Sequence, residues 1–271
     1  MNITRAVIIA LNVLDVHVME LRENVATYVT PDVQVFQAIN SSHALALSAD
    51  TLPLYTRHLI DNGRQSHVQI GNYAMLGCLL SHVEVWKQVA PGEIVAVFEE
   101  DAQIDGVSSY RLKLLEEDMR GVDWDVLKLD KGHLIDSGTT SYVGSGMAGT
   151  CADNATCMRW GTRGYLLRYT GAQQLLQHAS PPVVQVDALI SLLATYQRQS
   201  FRLYWATSDI ALPSYWRLSS VWDGCIIQCF VKDWLTALLI VSVVALVFFQ
   251  VARRGAKTRQ IWEKWEVYNR P

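Results

Sequence analysis

Glu99, Glu100 and Asp101 stand side by side directly after the apolar run Ile94-Val95-Ala96-Val97-Phe98. A short unbroken run of this kind reads as a strand covered on both faces, so the three acids mark its carboxyl end. Adjacent carboxylates in such a place repel one another and resist desolvation. A divalent cation relieves both problems, and oxygen ligands suit magnesium or manganese. Alternation along the strand puts Glu99 and Asp101 on one side and Glu100 on the other. That makes Glu99 and Asp101 the metal-ligand candidates. The carboxyl ends of strands are also where open α/β sheets bind ligands. Taken alone, the triplet is also compatible with a solvated acidic turn or with a metal-dependent phosphohydrolase.

The elements that must position these acids are legible on both sides. Met75, Leu76, Leu79, Leu80, Val83, Trp86 and Ala90 recur at spacings of three and four, which predicts a helix with one apolar face. Pro91-Gly92 stops it. Upstream, Arg5–Leu14 reads as a first buried strand, Val16–Tyr28 as a helix and the alternating Val33–Ile39 as a second strand. Ser41–Tyr73 reads as a polar linker whose His43, His58 and His67 are surface residues. Downstream, the pattern predicts a helix over Asp105–Gly121, a strand over Trp124–Leu129 and a late strand over Phe201–Trp205. Asp123, Asp125 and Asp130 read as turn and edge residues. Gly132–Ala155 reads as a Gly/Ser/Thr-rich surface loop. Its Gly144-Ser145-Gly146-Met147-Ala148-Gly149 has the form GxGxxG, but no helix pattern follows and no acidic residue stands about twenty positions on, so a dinucleotide site is rejected. Strands alternating with helices place the chain in the α/β class.

The words around the acids narrow the chemistry. Gly77-Cys78-Leu79-Leu80-Ser81-His82, then Val85-Trp86, then Phe98-Glu99-Glu100-Asp101 resemble the signature of glycosyltransferase family 25, which includes lipopolysaccharide and collagen hydroxylysine galactosyltransferases. A second block, Gly161-Thr162-Arg163-Gly164-Tyr165 leading to Thr170-Gly171-Ala172-Gln173-Gln174-Leu175-Leu176 and then Val186-Asp187, resembles the same family in the same order. Two departures stand out. The family usually shows Glu-Asp-Asp where this chain has Glu100 in the middle. Its arginine-rich helix start is replaced by Asp15, Val16 and His17.

The resemblance covers about 1–215 and implies a GT-A-like mixed sheet flanked by helices. It implies a metal-dependent transferase (Mn²⁺ or Mg²⁺) that moves a hexose, galactose before glucose, from a UDP-sugar to a hydroxyl on a glycan, glycolipid or glycoprotein acceptor, with inversion. By the resemblance, Glu99 and Asp101 hold the metal, Asn12, Ser81, His82 and Glu100 belong to the donor site, and Asp187 is the catalytic base. A catalytically inactive, membrane-anchored module of the same fold is the alternative.

Composition sets the remaining bounds. A formal charge of −3 over 271 residues offers no basic field for nucleic acid. From Trp234 to Val251 no residue is charged. As a helix this stretch spans about 27 Å, close to the hydrocarbon thickness of a bilayer. It predicts one C-terminal transmembrane helix at 234–251, with 216–233 as juxtamembrane segment and 252–271 as basic tail. A single-pass protein of the endomembrane system follows. The basic tail argues for a cytoplasmic C-terminus, whereas the apolar Ala6–Leu14, with only Arg5 ahead of it and no small-residue cleavage site, does not read as a signal sequence, which argues for a tail anchor with a cytoplasmic domain, so sidedness stays open. Cys151 and Cys157 could close a small loop. Asn2, Asn40 and Asn154 begin sequons.

Overall fold

The computed structural model of the chain describes residues 1–213 apart from 49–50, 65, 67, 132, 135–139 and 152–158. The elements in order are β1 (Arg5–Ala10), α1 (Val16–Tyr28), β2 (Val33–Gln37), α2 (Ser41–Ser48), α3 (Leu54–Asn62), α4 (Tyr73–Trp86), β3 (Ile94–Glu99), β4 (Ala102–Gln103), α5 (Gly106–Asp118), β5 (Val126–Lys128), β6 (His133–Leu134), β7 (Thr140–Val143), β8 (Ala148–Cys151), β9 (Arg159–Trp160), β10 (Gly164–Arg168), α6 (Tyr169–His178), α7 (Val186–Tyr196), β11 (Leu203–Ala206) and β12 (Leu212–Pro213).

Eight strands form one mixed sheet in the order β2-β1-β3-β10-β5-β11-β8-β7. Strands β2, β1 and β3 run parallel. β10 runs against both β3 and β5, and β11 is again parallel to β5. The reversal at β10 matters most for function. It brings the start of β10 to the end of β3, with Gly164 opposite Phe98, and Leu129 donates its N–H to the Gly164 carbonyl at 2.8 Å. One rim of the sheet therefore carries the carboxyl ends of β1, β3, β5 and β11 and the residues leading into β10.

Alternation sorts the two faces. Ala6, Ile8, Ala10, Ala96, Phe98, Leu127 and Leu166 share one core with Val18, Leu21 and Val25 of α1 and Leu112 and Leu115 of α5. Val7, Ile9, Val95, Val97, Tyr165 and Leu167 are buried on the opposite face, where α4 packs with β1, α6 and α7. Helices thus flank the sheet, as the α/β reading expected.

Two expectations are corrected. The polar linker contains α2 and α3. The start of α2 is held by Asn40, whose Oδ1 accepts the His43 N–H at 2.9 Å, and α3 buries Thr56 and Leu59. The Gly-rich surface loop contains the hairpin β7–β8, which extends the sheet beyond β11. Gly144 and Gly146 turn it with φ of 55° and 94°. Asp118, at the end of α5, accepts the Ser145 and Met147 N–H groups at 2.8 and 2.7 Å. A carboxylate distant in sequence thus stabilises a turn whose own residues read as coil. The GxGxxG stretch joins two strands, in keeping with the rejected dinucleotide reading.

The chain divides into units Met1–Val221 and Trp222–Pro271. Among the described residues no helix is long and apolar enough to cross a membrane. The span expected at 234–251 lies outside them.

Candidate active site at the strand ends

Glu99 is the last residue of β3 and shares a face with Val95 and Val97, so its side chain meets α4. Its backbone N–H donates to the Arg163 carbonyl at 2.9 Å. The Thr162 hydroxyl donates to Glu99 Oε1, and His82 Nε2 lies 3.3 Å from the same oxygen. Behind His82, the Tyr165 hydroxyl sits 2.8 Å from His82 Nδ1 and accepts the Trp86 indole N–H at 2.8 Å. Both His82 and Tyr165 are buried.

Trp86 can only donate, so the Tyr165 oxygen accepts from it, and the Tyr165 O–H can turn to His82 Nδ1. The approach of His82 Nε2 to Glu99 is off the line of a hydrogen bond, and among the described residues Nε2 is a buried nitrogen without a hydrogen-bond partner. Burial pushes the Glu99 carboxyl up, but His82, Thr162 and Arg163 together hold it below the usual carboxylate range.

Cys78 lies one turn before His82. Its Sγ, a His82 ring nitrogen and a Glu99 oxygen fall within 4.8 Å of one another, a set that could take zinc. One feature opposes that: burial, followed by Glu99, Asp187 and Asp101, pushes the Cys78 thiol well up, away from the thiolate that a metal binds.

The other carboxylates of the rim are Asp101, Asp130 and Asp187. Asp101 follows β3 in a turn, and its Oδ1 is buried without a partner among the described residues. Burial, then the Glu99 charge, pushes its carboxyl up to about 7, with Arg163 opposing. Asp130 follows β5, is buried, and also has an unpartnered Oδ1. Burial raises it against the pull of Lys128 and Arg163. Asp187 lies in the first turn of α7, where Oδ2 accepts the Gly161 N–H at 3.1 Å and Oδ1 the Ala188 N–H at 2.8 Å. Burial raises it too, against those N–H groups and Lys128.

Positive charge on the rim comes partly from the chain. Lys128, fully buried, donates to the Arg159 carbonyl at 2.9 Å. The Arg159 guanidinium bonds to the Lys131 carbonyl and lies 3.9 Å over the Trp205 ring. Arg163 Nε approaches Asp101 Oδ2 at 4.0 Å. Buried polar atoms in folded proteins are normally paired. Among the described residues, His82 Nε2, Asp101 Oδ1, Asp130 Oδ1, Arg159 Nε and Arg163 Nε are buried without hydrogen-bond partners. Such a concentration suits a polar ligand, and the orphaned Asp101 oxygen beside Glu99 suits a hard divalent cation.

The rim thus brings together Glu99, Asp101, His82 and Asp187. Asn12 lies beyond the end of β1, where its Oδ1 accepts the Leu14 N–H at 3.1 Å and shapes the turn into α1. Glu100 points to the α1 side, as alternation expected. Its Oε2 accepts the Leu11 N–H at 3.0 Å, and it lines a cavity of about 130 Å³ with His17, Glu20, Asn24 and Gln103. Ser81 is buried inside the helical layer. Its hydroxyl donates to the Gly77 carbonyl at 2.7 Å and accepts the Ile39 N–H at 2.8 Å.

Residues 20–190 match the model of glycosyltransferase family 25 (LPS biosynthesis protein). The chain belongs to this family. A human relative, named inactive glycosyltransferase 25 family member 3, is 31% identical over 162 residues, which cover 57% of this chain and 25% of the relative. The chain therefore spans about a quarter of that relative's length. The family 25 match contains both blocks of the rim, the one ending at Asp101 and the one running from Gly161 to Asp187.

Sequence reasoning passed over Thr162, Arg163, Tyr165 and Lys128, and read Asp130 as a turn residue. Thr162, Arg163 and Tyr165 lie inside the second block, so the block was visible, but the meeting of Thr162 and Arg163 with Glu99 and of Tyr165 with His82 was not. Among the described cysteines, Cys78 is free and Cys151 is disulfide-bonded. Cys157 lies outside the described residues.

Proposed function

We propose that the chain is a metal-dependent hexosyltransferase with a GT-A-like core, moving galactose, or glucose in second place, from a UDP-sugar to a hydroxyl of a glycan, lipid-linked sugar or protein, with inversion. The observation that carries this reading is the unpartnered, buried Asp101 oxygen beside the lowered Glu99 carboxylate. Glu99 and Asp101 would hold Mn²⁺ or Mg²⁺, which when bound supplies positive charge to the departing nucleoside diphosphate. Asn12 and Glu100, at the α1 side of the rim, are assigned to the nucleoside end of the donor. His82 acts from behind Glu99, and Ser81 supports the helix that carries it.

Direct inversion needs a base in line with the acceptor hydroxyl. Asp187 is assigned that role. Its raised carboxyl makes it a stronger base than an exposed aspartate, and two backbone N–H groups fix its orientation. Residues 234–251 would tether the domain to an endomembrane bilayer, and protease protection in intact microsomes reads which side it occupies.

The test is turnover of UDP-galactose in Mn²⁺. Asp187→Asn is expected to slow acceptor transfer by about 10²–10⁴-fold, with affinity for UDP retained. Equal turnover of wild type and variant would discard the assignment. A second reading, a sugar-nucleotide-binding module without catalysis, is favoured by the word inactive in the human relative's name and by glutamate at position 100. It predicts UDP-sugar binding with no hydrolysis or transfer.

A further inference from the structure

We propose that Arg163 is the anion-binding group of the rim, its guanidinium taking the diphosphate of the nucleotide donor. The proposal rests on the nucleotide-sugar reading above and assigns the diphosphate a partner in the chain itself.

The backbone of Arg163 is anchored, because its carbonyl accepts the Glu99 N–H at 2.9 Å. Its side chain is 28% exposed and so reaches both the buried rim and solvent. A guanidinium offers five N–H donors in a rigid fork. At Arg163 none of them makes a hydrogen bond among the described residues, and Nε is buried. The nearest opposite charge, Asp101 Oδ2, stands 4.0 Å from Nε, beyond hydrogen-bond reach.

The two buried cations of the rim, Lys128 and Arg159, are committed. Lys128 is sealed onto the Arg159 carbonyl, and Arg159 bonds to Lys131 and stacks on Trp205. Arg163 keeps its fork unused while its charge lies near Glu99, Asp101 and Asp130. Those carboxylates, with Asp187, would repel an incoming diphosphate. A cation aimed at the same space offsets part of that repulsion, and an unused fork matches phosphate oxygens two at a time. Glu99 N–H and Arg163 C=O tie the anion site to the strand that carries the proposed metal ligands, so both would grip the same diphosphate.

The test compares UDP with uridine, which lacks the phosphates. Calorimetric titrations of the full chain in Mn²⁺ buffer would be run on wild type, Arg163→Ala and Arg163→Lys. Losing a charge-assisted contact is expected to weaken UDP about 10- to 100-fold in Arg163→Ala, with uridine within about twofold. Arg163→Lys keeps the charge but not the fork and is expected to fall between. It carries the test if the alanine variant fails to fold.

Wild-type affinity for UDP in both variants would overturn the proposal and leave the donor reading standing. Equal losses for UDP and uridine would also overturn it, since that marks a structural role. Absence of UDP binding by the wild type would overturn the donor reading, and this assignment with it.

Discussion

Asp101→Asn is expected to lose sugar transfer and, above pH 7, to be more stable than the wild type. The two effects share one cause. Burial and the Glu99 charge push the Asp101 carboxyl up from 3.8 to about 7 in the folded chain. Between those values the folded state holds a proton that the unfolded chain has released. Stability therefore falls as pH rises from about 4 to 7 and stays at the lower level above. A gap of that size corresponds to roughly 4 kcal/mol. Water reaching the partly covered carboxyl reduces this, so a gain of about 2 kcal/mol is expected for Asn at pH 8. Below pH 4 the gain should vanish, because both side chains are then neutral.

Activity should move the other way. Asparagine keeps the shape but not the charge that would hold a divalent cation, and transfer should drop by about 10³-fold. Mn²⁺ should raise the unfolding midpoint of the wild type by mass action and leave the variant's unchanged. Urea denaturation from pH 4 to 9 with and without Mn²⁺, beside UDP-galactose turnover, reads all of this. A variant as active as wild type, or one with the wild-type pH profile of stability, would remove Asp101 from the site.

What the sequence exposed and what it hid divide by range. The helix, turn, strand and acids of 75–101 are consecutive, so periodicity and punctuation were enough to find them. Alternation also placed Glu99 and Glu100 on opposite faces. Thr162 and Arg163 reach Glu99 because β10 runs antiparallel between β3 and β5. No local pattern encodes a strand's direction, and so their partnership with Glu99 was hidden. The β7–β8 hairpin read as a surface loop for a similar reason, since Asp118 holds its turn from α5. The acids were expected to need an external cation for balance. Lys128 and Arg163 supply part of it, while Asp101 Oδ1 still has no partner.

Gly77→Ala is expected to destabilise the domain by about 3 kcal/mol or more, the range of a side chain forced into occupied space. A Cβ at Gly77 would lie 2.2 Å from the Ile39 carbonyl oxygen. That oxygen belongs to backbone, so no rotamer change can make room. Ser81 stands one turn on and faces the same segment. Its hydroxyl accepts the Ile39 N–H, and Ser81→Ala would orphan that donor at a cost of about 1–3 kcal/mol.

Residues four apart share a helix face, so the motif resolves into two stripes. Gly77 and Ser81 clamp α4 to the chain after β2. Cys78, His82 and Trp86 form the neighbouring stripe, which reaches Glu99 and Tyr165. The clamp sets where α4 lies, and α4 carries His82 to Glu99. Chemical denaturation of both variants measures the clamp. An alanine at 77 with an unchanged midpoint would show that Ile39 is not seated there.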